Sequence, residues 1–299
     1  MSPNKKPGVG QIILTAVMGL YALACLLPVL LVLVASFSAD SSLIEKGFSF
    51  FPNEWSLKGW QYVFDFGAQL LTSYKVTIII TVVGTTLSLV LMSMYAYVLT
   101  KRNFRMSKFL SVLVIITMLF DGGQVSRYII YSSIYKLKNT YSILILPGCI
   151  TCMNVFIMRS YIKGNIPDSL SEAALIDGAG EFRTFWQIIF PMMKPCLAAV
   201  GFMRAVAIWN EWQNAYLFIT EDNLAPLQLL LIRIEKNIEY ALRNSAEFSP
   251  QEYAELLRTL PQDSCRMAML FMVLGPILVA YPFFQKYFVK GLTVGGVKG

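Results

Sequence analysis

Between two long apolar runs the chain reads IPDSLSEAALIDGAGEFRTFWQIIFPMMKP, from Ile166 to Pro195, and this segment constrains the architecture most tightly. Ser169 and Glu172 have the S-x-x-E spacing of a capping box, so a short helix is predicted to start there. Gly178 and Gly180 then break that helix. The pattern therefore predicts a short helix that ends at a glycine elbow.

A second amphipathic stretch follows the elbow. Its apolar residues recur at helical spacing, and the stretch is predicted to end against Pro191. The tip of the elbow is small, with Ala173, Ala174, Gly178 and Ala179, so the backbone of another protein can approach it closely. Because the apolar flank also needs covering, the loop is predicted to be a docking surface for a partner protein. For Glu172 alone, a capping residue with no partner is the alternative.

The composition places the chain in a membrane. Only 14% of its 299 residues are charged, 56% are hydrophobic and the mean hydropathy is +0.57, whereas soluble domains carry about 25% charged residues. The net charge of +7 then reports membrane topology rather than a nucleic-acid partner. The sequence contains no histidine, which removes His-based catalysis, Ser-His-Asp triads and His-ligated metal sites. Cys149 and Cys152 lie in an apolar run and are predicted to be apolar filler, so no catalytic residue, metal site or cofactor is predicted.

Six stretches are long and apolar enough to span a bilayer, which takes about 20 residues. The first is too long for the apolar core of a signal peptide, so it is predicted to be a retained anchor helix. Their approximate bounds are 11–37, 73–99, 109–126, 141–162, 196–219 and 265–288. The predicted fold class is therefore all-α, a polytopic membrane protein with six transmembrane helices in a single domain of residues 1–299.

The basic connection after the second span predicts the orientation. Residues 101–108 read KRNFRMSK, with four cations and no acid, and short connections of this kind face the cytoplasm. An even number of spans puts both termini on that side, together with the loop 167–191 between spans four and five. The connection 220–264, between spans five and six, is then extracytoplasmic. Long structured connections often carry function.

The extracytoplasmic loop is predicted to be folded. Residues 227–242 form a helical candidate with a very apolar first half. Ser249, Pro250 and Glu252 give a cap, a proline at the first helical position and a capping-box partner, and Pro261 marks the end of that segment. Such a loop would contact an external partner or cover the mouth of a cavity. Packing against its own spans is the alternative.

Charged groups at membrane depth are costly and usually face a cavity or one another. Arg204 and Glu211, on one face of span five, are therefore the first candidates for a substrate pathway, with a structural ion pair as the alternative. The residues around Glu211 combine stacking faces with hydrogen-bonding groups and suit a sugar, although the tryptophans also fit an interfacial aromatic belt. The pathway candidates are Arg204, Trp209, Asn210, Glu211, Trp212 and Asn214. A weaker candidate is the segment 121–124, DGGQ. The alternative is that its glycines only end a helix.

The central loop resembles a known motif. Its order and spacing look like the EAA motif of binding-protein-dependent ABC importer permeases, in the same cytoplasmic position between spans four and five. That family usually has leucine before the proline, where this chain has Phe190, a conservative departure. The residues that carry the resemblance are Glu172, Ala173, Ala174, Asp177, Gly178, Ala179, Ile188 and Pro191.

Two further resemblances cover other parts of the chain. The tail 291–299, GLTVGGVKG, is similar to the C-terminus of the maltose-type, MalG-like permease subunits of the carbohydrate importers. FDGG at 120–123, LPG at 146–148 and WNEW at 209–212 look closer to the branch that imports larger or acidic oligosaccharides. The chain is thus identified as a permease subunit of the carbohydrate family and not as an enzyme.

The resemblance implies a complex in a bacterial cell membrane. A second permease subunit would form a heterodimer with this chain, two cytoplasmic ATPases would dock on the EAA loops, and an extracellular solute-binding protein would deliver an oligosaccharide. The EAA residues would sit in a groove on the ATPase. Because the chain lacks G-x-x-x-x-G-K-[ST], ATP and Mg²⁺ would be bound by the partner ATPase, which would drive alternating access. The tail would contact the ATPase through Gly295, Gly296, Val297, Lys298 and Gly299, with a frayed terminus as the alternative.

Other functions stay open from the residues alone. An importer of the same build for a different solute would share the EAA motif, because the motif concerns the ATPase and not the cargo. A stand-alone transporter driven by an ion gradient would need coupling carboxylates buried in the membrane and often paired repeats, and Glu211 is the only acid clearly inside a predicted span. A membrane enzyme would need a cluster of catalytic groups at one membrane face, which the sequence does not offer.

Overall fold

A computed structural model of the chain describes residues 8–101, 104–243, 249, 251 and 262–294. These residues are almost entirely helical, and their one isolated β-bridge is an antiparallel pairing of Ser38 with Trp55. The all-α prediction is confirmed for this part of the chain. The described residues form two compact units. The first comprises the described part of Met1–Gly67 and Leu231–Gly275, and the second comprises the described part of Ala68–Leu230 and Pro276–Gly299.

The helices follow one another along the chain, with a π-turn after α6 (Ile130–Ile134) and another inside α10 (Phe185–Ile189). Their bounds are α1 Val9–Ser36, α2 Asp40–Lys46, α3 Lys58–Phe64, α4 Gly67–Val98, α5 Ser107–Leu119, α6 Gly123–Ile129, α7 Tyr141–Ile145, α8 Cys152–Asn165, α9 Asp168–Ile176, α10 Glu181–Met192, α11 Lys194–Trp209, α12 Gln213–Phe218, α13 Leu227–Arg243 and α14 Asp263–Val294.

Three described helices are long and apolar enough to cross a membrane: α1, α4 and the part Asp263–Gln285 of α14. Two bent pairs raise that number to five if each pair is one span. In one pair α5 meets the helix Gly123–Ile134 at 113°, and in the other α10 meets α11 at 79°. The predicted first and second spans correspond to α1 and α4, and the third and fifth fall on the bent pairs.

The predicted fourth span, 141–162, is divided into α7 and α8, which have 5 and 14 residues. Gly148 makes the division with a φ of +75°, a left-handed conformation that glycine adopts without steric cost. Neither piece reaches the length of about 20 residues that a spanning helix needs. The described helices therefore do not by themselves give six spans.

In the first unit, α3 packs closely on its neighbours. Trp60 Nε1 donates a hydrogen bond to Ser36 Oγ at 3.2 Å, and its ring stacks on Phe37 with the centroids 5.5 Å apart. Gly59 faces the backbone of α14, because a Cβ there would lie 2.7 Å from the carbonyl carbon of Ser264. Only a glycine allows this approach.

Asp40 caps the first turn of α14. Its Oδ1 accepts hydrogen bonds from the backbone N–H groups of Gln262, Asp263 and Ser264 at 3.2, 2.9 and 3.0 Å, and Oδ2 accepts one from the Ser264 hydroxyl at 2.8 Å. The first N–H groups of a helix have no partner within it, and a carboxylate there also interacts favourably with the helix dipole. Asp40 supplies this cap from 222 residues before Gln262.

The core of the second unit lies along α4. Met92 belongs to a buried cluster with Met158 of α8 and Ile189 of α10. Ile80, three turns earlier on α4, belongs to another cluster with Ile208 of α11. The central loop and the pathway candidates are thus positioned against the same helix.

Candidate functional site

The central loop is anchored on the core of the second unit by α10. Phe185, Ile189 and Met193 are all at most 2% exposed and pack in the cluster around Met92. The helix ends at Met192, one residue beyond the predicted end at Pro191. The N–H of Phe190 donates to the Phe185 carbonyl five residues back, and this wider π-turn accommodates the proline ring.

The predicted capping box at the start of α9 is wrong. The helix begins at Asp168, and Pro167 occupies the N-cap position with an extended ψ of 136°. Ser169 therefore lies inside the first turn, whereas a cap residue needs a non-helical backbone. No side-chain cap bond forms at this end, so Glu172 has no capping role and its carboxylate is exposed.

The predicted glycine elbow is present and has the geometry of a Schellman motif. The N–H of Gly178 donates to the Leu175 carbonyl at 3.1 Å, and the N–H of Ala179 donates to the Ala174 carbonyl at 2.8 Å. Gly178 has a φ of +77°, which other L residues adopt only with strain. Gly180 has an ordinary φ of −71°. The shape of the elbow therefore depends on Gly178.

Large apolar side chains at the elbow face solvent. Ile176 is 86% exposed, Leu175 64% and Phe182 69%, and exposed apolar patches of this kind mark contact surfaces. Both Leu175 and Ile176 lie in α9, and hydrophobic periodicity alone did not predict their exposure.

The residues of the EAA-like motif surround this apolar tip. Those on the outer side are exposed, and those toward α10 are covered. Glu172, Ala173, Asp177 and Gly178 are exposed, Ala179, Ile188 and Pro191 are half-buried, and Ala174 is buried.

A polar cluster of Tyr97, Lys101 and Glu181, here called the Glu181 cluster, joins the loop to the end of α4. The Tyr97 hydroxyl donates to Glu181 Oε2 at 2.6 Å, and Lys101 Nζ lies 2.8 Å from the same oxygen. Lys101 Nζ also lies 4.5 Å from the centre of the Tyr97 ring. Burial acts to raise the pKa of Glu181, but the hydrogen bonds from Lys101 and Tyr97 and the charge of Lys101 outweigh it and lower that pKa below its ordinary value. Sequence patterning did not reveal this cluster.

Arg204, on α11, contacts the turn that divides α7 from α8. Its Nε donates to Ser88 Oγ at 3.2 Å, and its Nη2 donates to the Pro147 carbonyl at 3.4 Å. A Cβ on Gly148 would lie 3.4 Å from the same Nη2. Among the ion pairs of the described residues none joins Arg204 to Glu211, so the two charges do not act as a direct pair here.

The other pathway candidates divide between two environments. Glu211 Oε1 accepts from the Asn214 N–H at 3.0 Å between α11 and α12, and Asn210 Oδ1 accepts from Gln228 Nε2 at 3.3 Å. Trp212 is 44% exposed beside them. Trp209 is buried and lines an apolar cavity of about 260 Å³ instead. The structure thus groups Asn210, Glu211, Trp212 and Asn214 at one helix break.

The weaker candidate segment 121–124 lies at the bend after α5. Asp121 Oδ1 accepts from the Gly123 N–H at 2.9 Å, and both carboxylate oxygens lie 2.9 Å from Arg127 Nη2. Asp121 is therefore occupied in closing this turn. In the described part of the chain no group of three or more metal-ligating side chains comes together.

Several predictions fall where the structure gives no description. The tail Gly295–Gly299 and the cap residues Pro250 and Glu252, with Pro261, lie outside the described residues. The first predicted helix of the outer loop, 227–242, corresponds to α13, whose apolar first half is buried.

Comparison with known proteins places the chain in a family. Residues 103–294 match the family described as the inner membrane component of binding-protein-dependent transport systems. The chain belongs to this family. The EAA-like loop lies inside the matched region.

Relatives of this transport component cover nearly the whole chain. The polygalacturonan/rhamnogalacturonan transport system permease protein YtcP of Bacillus subtilis (strain 168) is 32% identical over 283 residues, which are 94% of this chain and 95% of that protein. Protein LplC of the same organism is 35% identical over 274 residues, 92% of this chain and 90% of that protein. A crystal structure of a bacterial ABC transporter involved in the import of the acidic polysaccharide alginate has a TM-score of 0.74 and 25% identity, over 96% of this chain and 100% of that chain.

Membership confirms the predicted ABC permease family. Permease subunits are not themselves enzymes, so the chain is a transport component and not an enzyme. The family's membrane assignment and the apolar helices agree with a multi-pass protein of the cell membrane. A binding-protein-dependent system also argues against the stand-alone ion-driven transporter.

Proposed function

We propose that this permease is one of two pathway-forming subunits of an ATP-driven importer of oligosaccharides. It has six spans with both termini in the cytoplasm, and ATPase subunits dock on its loop 167–191. An external solute-binding protein delivers the sugar, and the ATPases, which bind ATP and Mg²⁺, drive alternating access. The tail Gly295–Gly299 contacts the ATPases from the same side.

The exposed apolar elbow is the observation that carries the docking proposal. Ile176 is the last residue of α9 and is 86% exposed, and leaving such a side chain in water forgoes about 1.5–3 kcal/mol of burial free energy. A docked ATPase covers this tip. The small, exposed Ala173 allows its backbone to approach closely. Because Phe185 and Ile189 fix α10 in the core, a displacement of the elbow is transmitted to the helices packed there.

For the cargo we propose an acidic oligosaccharide. YtcP is named for polygalacturonan and rhamnogalacturonan, and the structural relative for alginate. Arg204 places a half-buried guanidinium on α11, and the cluster from Asn210 to Asn214 adds hydrogen-bonding groups and the face of Trp212, which suit a sugar ring. A neutral oligosaccharide is the second candidate, favoured by relatives named for arabinooligosaccharides and for melibiose, raffinose and stachyose.

The test is ATP-dependent uptake into proteoliposomes that contain both permeases and both ATPases, with the binding protein supplied. Labelled oligogalacturonides, alginate oligosaccharides and arabinooligosaccharides are compared for wild type, Ile176→Asp and Ile44→Asp. Ile44 is a matched control because it is also an isoleucine and is 74% exposed on α2. It lies in the connection between the first two predicted spans, on the opposite side of the membrane from the basic connection 101–108.

We expect wild type and Ile44→Asp to accumulate an acidic oligosaccharide and Ile176→Asp to accumulate none. Uptake of the neutral sugar alone would contradict the acidic cargo, and no uptake of any saccharide would contradict the cargo class. Equal uptake by the two variants would contradict docking through the elbow.

A further inference from the structure

We propose that Glu181 is a positioning residue that holds the central loop against the cytoplasmic end of α4. Movement of a docked ATPase then reaches α4 through this side chain and not only through the chain connections to α8 and α11. The inference rests on the proposed ATPase-driven function and names the residue that transmits the movement.

The position of Glu181 suits this role. It lies three residues after Gly178 and is the first residue of α10, so its carboxylate holds the far side of the elbow. Its Oε2 accepts a hydrogen bond from Tyr97, in the last turn of α4, and forms an ion pair with Lys101, just beyond the end of that helix. Glu181 and Tyr97 are 84 residues apart in the chain. The contact therefore connects elements that the backbone does not connect directly.

The cluster is more constrained than an exposed ion pair. The Glu181 side chain is 60% exposed and that of Lys101 27%, and an isolated pair at such a site would contribute little. Here the ammonium also lies over the Tyr97 ring, and the Tyr97 hydroxyl binds the same carboxylate oxygen. Three mutual contacts fix the geometry of each member, and the interactions with Lys101 and Tyr97 lower the pKa of Glu181, which favours its ionised form.

A cavity lies beside these polar contacts. It measures about 730 Å³, and its walls include Ser171 and Glu172 of α9 as well as Tyr97, Lys101 and Glu181. Ser171 and Glu172 of α9 therefore line the cavity together with the end of α4, and the Ser171 side chain is also hydrogen-bonded to Tyr97. The Glu181 cluster lies on the wall where the loop and α4 meet.

The end of α4 is in turn bound to other helices. The Tyr95 hydroxyl donates to the Leu110 carbonyl of α5 at 2.9 Å, and Arg159 of α8 donates through Nε to the Leu99 carbonyl at 3.3 Å. A displacement that Glu181 passes to this end is thus passed on to α5 and α8. Contiguous contacts of this kind couple two sites when both sites shift the equilibrium between two arrangements of the protein. Here the two arrangements are those of the proposed alternating access.

The test compares Glu181→Gln with Arg183→Gln in the complete complex in proteoliposomes. Both changes remove one charge from α10, and Arg183 is an exposed residue whose Nε donates to Gln187 on the same helix at 2.9 Å. Three quantities are measured: ATPase retained on the purified permeases, ATP hydrolysed, and labelled oligogalacturonide taken up. We expect Glu181→Gln to retain the ATPase but to lose about tenfold in uptake per ATP, a typical size for one coupling between two sites. Arg183→Gln should keep the wild-type ratio.

Charge reversal tests whether the ion pair itself carries the coupling, with uptake per ATP measured in complexes that retain the ATPase. Glu181→Lys and Lys101→Glu should each lower uptake per ATP, and the double variant should exceed both because the ion pair forms again with opposite polarity. A double variant no better than either single variant, or a wild-type ratio in Glu181→Gln, overturns the proposal. If Glu181→Gln does not assemble, Tyr97→Phe decides, because it removes one hydroxyl and keeps the ring; a normal ratio there also overturns it.

Failure of the proposed function gives a different result. In that case the wild-type complex retains no ATPase or imports no saccharide. Failure of the positioning role alone leaves wild-type import intact and leaves the ratio unchanged in the Glu181 variant.

Discussion

Replacing Gly178 by alanine should weaken ATPase docking, whereas the same change at Gly180 should not. A Cβ would meet no atom within 4 Å at either position, so the two substitutions differ in backbone conformation and not in steric clash. Gly178 has a φ of +77° and Gly180 one of −71°. An L residue in the left-handed region costs about 1–2 kcal/mol, whereas alanine at a compatible φ is neutral or stabilises by about 0.4–1 kcal/mol.

The cost at Gly178 applies to the Schellman turn that shapes the docking tip. A penalty of about 1–2 kcal/mol changes the ratio of native to altered elbow by about 5- to 30-fold. If only the native elbow binds the ATPase, the affinity cannot fall by more than this factor. The assay is the dissociation constant of the ATPase subunits from the permease pair in nanodiscs, measured by biolayer interferometry. Gly178→Ala should raise the dissociation constant within that bound, and Gly180→Ala should leave it unchanged or lower it. Equal constants for the two variants, or a larger loss at Gly180, would refute the dependence of docking on the elbow.

Two further predictions concern the packing of the first unit. Asp40→Ala should lower the free energy of unfolding by about 0.5–2 kcal/mol, the usual cost of losing a helix N-cap. Asp65→Ala is the control, because Asp65 is exposed, and it should leave the free energy of unfolding unchanged. Thermal unfolding in detergent measures both variants, and equal losses of stability would contradict the capping role of Asp40. Gly59→Ala should cost about 1–3 kcal/mol through overpacking, because its Cβ would lie 2.7 Å from the backbone of Ser264. Gly67→Ala meets open space and is the control in the same assay; a Gly59 variant as stable as that control would show that α3 and α14 are not in close contact.

The long apolar spans were predictable from the sequence because uninterrupted apolar runs have few alternatives to a membrane helix. The predicted spans 11–37 and 73–99 fall on α1 and α4 with shifts of a few residues at their ends. The run 141–162 is also mostly apolar, but counting apolar residues ignores backbone conformation. The positive φ of Gly148 divides it into α7 and α8, and the proline and glycine there were the visible signal.

The site was predictable only where its signal is local. The elbow was predictable from the glycines at 178 and 180, because a left-handed backbone conformation at the end of a helix is usually adopted by a glycine. The start of α9 was mispredicted because Pro167, with its fixed φ, takes the cap position in place of Ser169. The Glu181 cluster joins residues 84 positions apart and follows no periodicity, so only the folded structure brings it together.

The docking surface can be tested most directly by cross-linking in the assembled complex. A photoreactive amino acid is placed at position 176 on the elbow, or at position 44 on α2 as the control, and the adducts formed on irradiation are identified by mass spectrometry. The proposed function predicts an adduct with the ATPase from position 176 and none from position 44. An assembled, transport-active complex that gives no ATPase adduct at position 176 would contradict it.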